Sequence, residues 1–310
     1  MPDFTLHLAR HAGFCMGVQR ALQLAEAAAA EKSAFVSAAS VRAASVWTLG
    51  PLIHNQAAVE YLAQRGVGAV NSPTEIPRGA TALIRAHGLP PDEEAALRRV
   101  ATVVDATCPL VKKNQQLIEQ LSAEKFWVLI AGDAGHAEVR GLIARAEAGT
   151  VISSLADAEN LTLPPRAALV AQTTFSPTLY AQIAAALTAR FPALKVYPTL
   201  CAATEARLKE IRAMAAQCEI VVVVGDRHSA NTARLAEAAE RARVVWVESA
   251  AELNTDDWGD VKNVGVSAGA SAPDWVIAEV VAKLRVKSLE LSGGVVLIMR
   301  EAQPLLNSQL

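Results

Sequence analysis

Three cysteines are spaced evenly along the chain, and a cysteine thiolate is a ligand that binds soft metals. Cys15 and Cys108 are 93 residues apart, and the same interval separates Cys108 from Cys201. A single cysteine is more often an inert buried residue, but three at one period indicate three equivalent positions. Thiolates select zinc or iron–sulfur clusters, and three of them leave one coordination position open. Cys218 has no counterpart at this spacing and precedes an apolar run, so we interpret it as a core residue.

The residues that follow the first two cysteines are typical of helix starts. Cys15 is followed by Gly17 and a helix-forming run, and Cys108 is followed by Pro109, which is favoured at the first helical position. Helix N-termini stabilise the thiolate form that a metal ligand needs. The sequence contains no C-x-x-C pair, which argues against a zinc ribbon or a redox dithiol.

Polar residues recur with a common pattern after three apolar runs. In each case a glycine ends the run, and polar residues stand four and six positions later. The three sets are Gly50, His54 and Gln56; Gly132, His136 and Glu138; and Gly225, Ser229 and Asn231. A second strand end in each unit carries His87, Thr173 or Ser271. Each histidine alone could be a satisfied loop residue, but together these donors suit a phosphate or diphosphate at helix N-termini.

Glu138 is the one acidic residue in this repeated pattern, because Gln56 and Asn231 occupy the equivalent positions. A carboxyl group that faces an anion site has a raised pKa and can hold a proton for delivery, so Glu138 is a candidate general acid. The alternative is a solvated glutamate that complements the dipole at a helix start.

The surrounding sequence predicts an α/β framework that would position these residues. Apolar, β-branched runs at 45–50, 126–132, 167–172, 219–225 and 243–247 alternate with segments of helical period. Such runs predict mainly parallel sheets, which bind ligands at the carboxyl ends of their strands. We predict three pseudo-threefold-related α/β domains at 1–107, 108–200 and 201–290. A C-terminal tail at 291–310 follows, and its apolar run predicts an edge strand or a subunit contact.

Composition narrows the possible functions. The chain has 310 residues, 52% of them hydrophobic, and a formal net charge of −2, which disfavours binding to nucleic acid or to an anionic membrane. No apolar run approaches the ~20 residues of a membrane span, and the N-terminus lacks the apolar region of a secretory signal. We therefore expect a cytoplasmic protein. The sequence shows no Walker, flavin or nicotinamide motif.

Eight motifs carry a resemblance to a known family over roughly residues 4–285. They are AGFCMGVQRA, GPLIHN, RAHG, DATCPLV, GDAGHAEVRG, AQTT, GDRHSANTARL and GVSAGASAPDW. In these motifs the chain resembles the 4-hydroxy-3-methylbut-2-enyl diphosphate reductase (IspH/LytB) family. The resemblance implies a trefoil of three α/β domains around a [4Fe–4S] cluster, which air converts to [3Fe–4S]. The implied cluster ligands are Cys15, Cys108 and Cys201.

The resemblance also implies roles for the polar residues. The diphosphate of the substrate would be bound by His54, His87, His136, Ser229, Asn231 and Ser271, and the catalytic residues would be Glu138, Thr173 and His136. The implied reaction is the last step of the non-mevalonate isoprenoid pathway, the reductive dehydroxylation of (E)-4-hydroxy-3-methylbut-2-enyl diphosphate to isopentenyl and dimethylallyl diphosphate. Its electrons would come from a ferredoxin or a flavodoxin, and no bound flavin or nicotinamide is expected.

Two further hypotheses stay open. Ala230, and Ala202, Glu205 and Leu208 after Cys201, depart from the family pattern. The changes after Cys201 suggest the second hypothesis, a paralogue with the same fold and cluster that acts on another allylic or activated alcohol. The third hypothesis is a non-catalytic protein in which the cysteines hold a structural metal.

Overall fold

The computed structural model of the chain describes residues 5–33, 45–292 and 296–299. Its strands are β1 (Thr5–Leu8), β2 (Val46–Leu49), β3 (Val67–Val70), β4 (Thr81–Ile84), β5 (Thr102–Asp105), β6 (Trp127–Ala131), β7 (Gly149–Ile152), β8 (Ala167–Ala171), β9 (Lys195–Val196), β10 (Ile220–Val224), β11 (Arg243–Val247), β12 (Asn263–Ala268) and β13 (Val296–Met299). Its α-helices are α1 (Met16–Ser33), α2 (Gln56–Ala63), α3 (Pro91–Val100), α4 (Pro109–Ala123), α5 (Ala137–Ile143), α6 (Leu155–Glu159), α7 (Pro177–Arg190), α8 (Ala202–Ala215), α9 (Ala230–Ala238) and α10 (Asp274–Ser292).

The strands form three sheets, which lie in two compact units. The unit Met16–Ala202 contains the sheets β3-β2-β4-β5 and β7-β6-β8-β9, and the unit formed by Met1–Cys15 and Ala203–Leu310 contains the sheet β11-β10-β12-β1-β13. All strand pairs within the described residues are parallel. The prediction of an α/β fold with parallel sheets is therefore confirmed, and each predicted apolar run contains a strand.

The three sheets share one topology. The central strands β2, β6 and β10 each lie between the next two strands of the chain, which we call the second and third strands of the sheet. A further strand, called the fourth, pairs with the third strand in each sheet. The fourth strands are β5, β9 and β1, and the loop after each of them leads to a cysteine. Ligands of such sheets bind beyond the carboxyl ends of the two adjacent strands at which the chain reverses its direction of winding. The expected ligand site of each sheet is therefore at the carboxyl ends of two adjacent strands. These pairs are β2 and β4, β6 and β8, and β10 and β12.

The N-terminal strand belongs to the sheet of the C-terminal segment. β1 pairs with β12 on one side and with β13 on the other, so the apolar run of the tail forms the expected edge strand. The division into domains at 107/108 and 200/201 stays a prediction.

The central strands are apolar because both faces of each sheet are covered. Every residue of β8 and of β10 is buried. Cys218 packs with Leu208, Ile211 and Val221 in the core of its unit, which confirms its interpretation as a core residue. Burial raises the pKa of this thiol to about 11, so it stays protonated at neutral pH.

Candidate active site

Each of the three evenly spaced cysteines directly precedes a helix. Cys15 stands before the first residue of α1, Cys108 is the N-cap of α4, and Cys201 stands before the first residue of α8. All three are partly exposed and none forms a disulfide.

A repeated backbone hydrogen bond fixes the three cysteines. The N–H of Cys15 donates to the carbonyl of Ala270 (3.1 Å), that of Cys108 to Ala86 (2.9 Å), and that of Cys201 to Thr173 (2.8 Å). Each acceptor stands two residues beyond the third strand of its sheet, which is β12, β4 or β8. The equivalence expected from the 93-residue spacing therefore extends to the local geometry, although the sequence carries no signal for these bonds.

The described residues contain no group of three or more histidine, cysteine, aspartate or glutamate side chains arranged to hold a metal ion. That arrangement is the one a single ion needs, with its ligands at about 2.0–2.3 Å from one centre. The thiolates of a cluster bind different irons, so they stand further apart.

Three imidazole rings lie side by side in the unit 16–202. The ring centroids of His54 and His87 are 5.1 Å apart, and those of His87 and His136 are 5.2 Å apart. Burial lowers the pKa of His87 well below its ordinary value, and the nearby His136, His54 and Arg85 lower it further. His87 is therefore neutral at pH 7, and its buried Nδ1 has no hydrogen-bond partner among the described residues.

Helix starts orient two of the predicted donors. His136 is the N-cap of α5, and its Nδ1 accepts the N–H of Glu138 at 3.1 Å, which places the proton of a neutral His136 ring on Nε2. Ser229 is the N-cap of α9, where its Oγ accepts the N–H of Thr232 at 3.3 Å. In the first sheet the cap is Asn55, the residue after His54.

Glu138 is almost completely buried, with 1% of its surface exposed, so its interpretation as a solvated glutamate is wrong. Its Oε1 accepts the backbone N–H of Thr173 at 2.7 Å, and its Oε2 accepts the Thr173 hydroxyl at 2.8 Å. Burial raises the pKa of Glu138 to about 7, and the two bonds from Thr173 oppose this rise only in part. The equivalent Gln56 is exposed and bonds to Glu60.

Thr173 joins the acid to a cysteine. Its N–H and hydroxyl hold Glu138, and its carbonyl accepts the N–H of Cys201. The carboxyl group of Glu138 and the backbone of Cys201 therefore have their positions set by one residue.

The other predicted donors lie in the unit that contains residues 203–292. Ser229, Asn231 and Ser271 are all buried. The Nδ2 of Asn231 and the Oγ of Ser271 have no hydrogen-bond partner among the described residues. A buried polar group without a partner is costly, so such atoms are typical of a site that a ligand completes.

Two functional features were missed by sequence reasoning. Gln172 is fully buried; its Oε1 accepts the N–H of Asp133 (2.9 Å) and its Nε2 donates to Thr174 Oγ1 (2.9 Å), which orders the loop before His136. The sequence signal for Gln172 was its position as a polar residue at the end of the apolar run AALVAQ.

The second missed feature is an anchor for the loop before Cys15. Arg207 of α8 is buried and donates to the carbonyls of His11 and Ala268. One turn further on, Glu210 accepts the N–H groups of Arg10 (2.7 Å) and His11 (3.1 Å), and its Oε2 lies 2.8 Å from His11 Nδ1. No local sequence pattern predicts these contacts, because the partners are about 200 residues apart in the chain.

Comparison with known proteins gives one consistent family. The LytB protein family matches residues 6–285. The 4-hydroxy-3-methylbut-2-enyl diphosphate reductase of Citrifermentans bemidjiense is 41% identical over 281 residues, which cover 89% of this chain and 95% of that protein. The protein of the same name from Aquifex aeolicus is 35% identical over 285 residues, which cover 90% of this chain and 95% of that protein.

Two solved structures share the fold. The E-1-hydroxy-2-methyl-but-2-enyl-4-diphosphate reductase of Plasmodium falciparum has a TM-score of 0.87 at 23% identity and covers 100% of this chain and 96% of its own. A second structure, of an (E)-4-hydroxy-3-methyl-but-2-enyl diphosphate reductase described as the terminal enzyme of the non-mevalonate pathway, has a TM-score of 0.68 at 34% identity. It covers 91% of this chain and 99% of its own. Among the helices that the structure describes, none has the length and apolar content of a membrane span.

Proposed function

The chain belongs to the LytB family, and from this premise we propose that it is an iron–sulfur reductase of the non-mevalonate isoprenoid pathway. It would convert (E)-4-hydroxy-3-methylbut-2-enyl diphosphate to isopentenyl and dimethylallyl diphosphate. The observation that carries the proposal is the buried carboxyl group of Glu138, with its pKa raised to about 7 and its oxygens held by Thr173, which also binds the backbone of Cys201. A reductive dehydroxylation consumes protons, and here a proton donor is held by the residue that also binds the backbone of a proposed cluster ligand.

Cys15, Cys108 and Cys201 would hold the cluster, which we propose is [4Fe–4S] in the anaerobic enzyme. The donor set fits this group, since three partly exposed thiols at helix starts are kept in place by equivalent backbone hydrogen bonds. Three thiolates on a cluster of four irons leave one iron open to the substrate. When bound, the cluster supplies single electrons and a Lewis acid.

The diphosphate would be bound by His54, His87, His136, Ser229, Asn231 and Ser271. His87 would contact the diphosphate without adding a positive charge, because burial keeps this ring neutral. The unpartnered Nδ2 of Asn231 and Oγ of Ser271 gain an acceptor when a phosphate oxygen arrives. Anchoring the anionic end of the substrate fixes the distance of its hydroxyl group from the acid.

Glu138 would deliver the proton. The reaction consumes two electrons and two protons; the C–O bond breaks, one proton leaves with the hydroxyl group as water, and the other is added to carbon. A carboxyl group with a pKa near 7 is partly protonated at neutral pH and becomes a useful donor there. The Thr173 hydroxyl lies 2.8 Å from Glu138 and would orient both the acid and the substrate hydroxyl.

Electrons would come from a ferredoxin or a flavodoxin through a transient contact. The paralogue hypothesis, with another allylic or activated alcohol as substrate, remains the second candidate because Ala202, Glu205, Leu208 and Ala230 depart from the family pattern. Ala202 and Glu205 are exposed residues in the first turn of α8, whereas Leu208 packs in the core of its unit.

The test is an anaerobic assay of the reconstituted full-length chain. Iron, sulfide and turnover of (E)-4-hydroxy-3-methylbut-2-enyl diphosphate with a one-electron donor are measured in the same sample. We expect a filled cluster and formation of the two isoprenoid diphosphates, and we expect Glu138→Gln to keep the cluster while turnover falls at least ~100-fold. A filled cluster without turnover of this substrate would contradict the proposal and favour the paralogue. Undiminished turnover in Glu138→Gln would remove the assigned acid.

A further inference from the structure

Gly17 is packed against the side chain of Cys108. It is the second residue of α1 and stands two positions after Cys15. A Cβ atom placed on Gly17 would lie 2.7 Å from the Sγ of Cys108 and 3.1 Å from its Cβ. The first separation is far inside van der Waals contact, so no residue with a side chain fits here unless Cys108 moves.

Backbone conformation does not explain this glycine. Gly13, Gly50 and Gly88 have positive φ angles that favour glycine, whereas Gly17 lies in a helix, where glycine is less favourable than any residue except proline. Alanine would therefore suit the backbone at this position better. The remaining reason for glycine is the space that the thiol of Cys108 occupies.

The contact brings the thiol of Cys108 to the first turn of α1. N–H groups in the first turn of a helix have no partner within the helix, and the helix dipole adds positive potential there. Cys108 is already the N-cap of α4, so its sulfur lies at the start of two helices.

We propose that Gly17 is a positioning residue for the cluster, an inference that rests on the proposed function. The gap left by its missing side chain sets the place of the Cys108 sulfur. Gly17 stands two residues after Cys15, another of the proposed ligands, in the chain. A methyl group at position 17 pushes the sulfur of Cys108 away from its ligand position without removing any ligand.

The first test compares Gly17→Ala with Gly141→Ala in the reconstituted full-length chain. Gly141 is the matched control, since it also lies in a helix, α5, and a Cβ there would meet its nearest neighbour, Leu89, at 3.5 Å, an ordinary contact. Iron and sulfide contents, the electron paramagnetic resonance signal and the rate of iron loss to a chelator are measured. We expect iron loss to be about ten-fold faster in Gly17→Ala and unchanged in Gly141→Ala. Equal rates and identical spectra in the two variants would overturn the proposal.

The second test is a double-mutant cycle that does not depend on the cluster. The Tm of the metal-free full-length chain is measured for Gly17→Ala with Cys108 present and with Cys108→Gly, a substitution that an N-cap tolerates. With Cys108 present, we expect Gly17→Ala to lower the Tm by roughly 3–6 °C. In the Cys108→Gly background, we expect the same substitution to leave the Tm unchanged or to raise it. The same change in Tm in both backgrounds would show that residue 17 is not in contact with the Cys108 side chain and would overturn the proposal. If the wild type takes up no cluster, the proposed function fails, while this cycle still decides whether Gly17 and Cys108 are coupled.

Discussion

Glu138 shows how burial converts an ordinary carboxylate into a candidate proton donor. Two hydrogen bonds from Thr173 favour the charged form, yet loss of solvent outweighs them and the pKa rises from 4.5 to about 7. The sequence identified this residue because it is the acidic member of the repeated pattern. The sequence could not distinguish a buried acid from a solvated one, because burial depends on the tertiary contact of Glu138 with Thr173, which lies just beyond β8.

The raised pKa of Glu138 predicts a pH-dependent cost to stability. Below pH 4.5 the carboxyl group is protonated in both the folded and the unfolded chain. Between pH 4.5 and 7 the unfolded chain loses this proton while the folded chain keeps it, so the free energy of unfolding falls by roughly 3 kcal/mol in total. Glu138→Gln removes this loss. Urea unfolding of both proteins at pH 4.5 and 7.5 should show Glu138→Gln gaining stability relative to the wild type at the higher pH. An unchanged difference would show that folding does not raise the pKa of Glu138.

The hydroxyl group of Thr173 can be tested separately from its backbone. Thr173→Ser keeps the hydroxyl that donates to Glu138 Oε2, whereas Thr173→Ala removes it and leaves the backbone N–H bond to Oε1. We expect kcat to fall about ten-fold or more in Thr173→Ala and to stay near the wild-type value in Thr173→Ser. Equal kcat in the two variants would show that the hydroxyl does not serve the acid.

At the scale of elements, loops after strands and the starts of helices carry the site. Ser229 and His136 cap α9 and α5, and their positions were predictable because glycine, loop and helix follow each strand at a fixed spacing. The repeated spacing did not predict every detail. Asn55 rather than His54 caps α2, and Gln56 is exposed, because that helix begins one residue later relative to its glycine than α9 does.

Helix α8 anchors the loop that leads to Cys15, which gives a prediction for Glu210. Glu210→Ala removes the acceptor for the N–H groups of Arg10 and His11 and for the His11 ring. We expect a loss of about 1–3 kcal/mol in the free energy of unfolding and faster alkylation of Cys15 in the metal-free chain. Glu205→Ala is the control, since Glu205 is an exposed residue of the same helix. Alkylation of Cys15 at the same rate in both variants would show that Glu210 does not order this loop.

At the scale of the whole molecule, the 93-residue spacing corresponds to three sheets of one topology. In each sheet a loop after the fourth strand leads to a cysteine, and the N–H of that cysteine bonds back to the segment just beyond the third strand. The repeat and the α/β class were readable from the sequence because strands buried on both faces are continuous apolar runs. The placement of β1 beside β12 was not readable, because nothing local to Thr5–Leu8 indicates a partner more than 250 residues away.

The central claim is that three of the four cysteines build one iron–sulfur site. Its most direct test is the iron and sulfide content of anaerobically reconstituted Cys15→Ser, Cys108→Ser and Cys201→Ser, with Cys218→Ser as the matched control because Cys218 lies in the core. We expect each of the first three variants to lose the cluster and Cys218→Ser to retain the wild-type content. A full complement of iron and sulfide in any of the first three, or an equal loss in Cys218→Ser, would contradict the account.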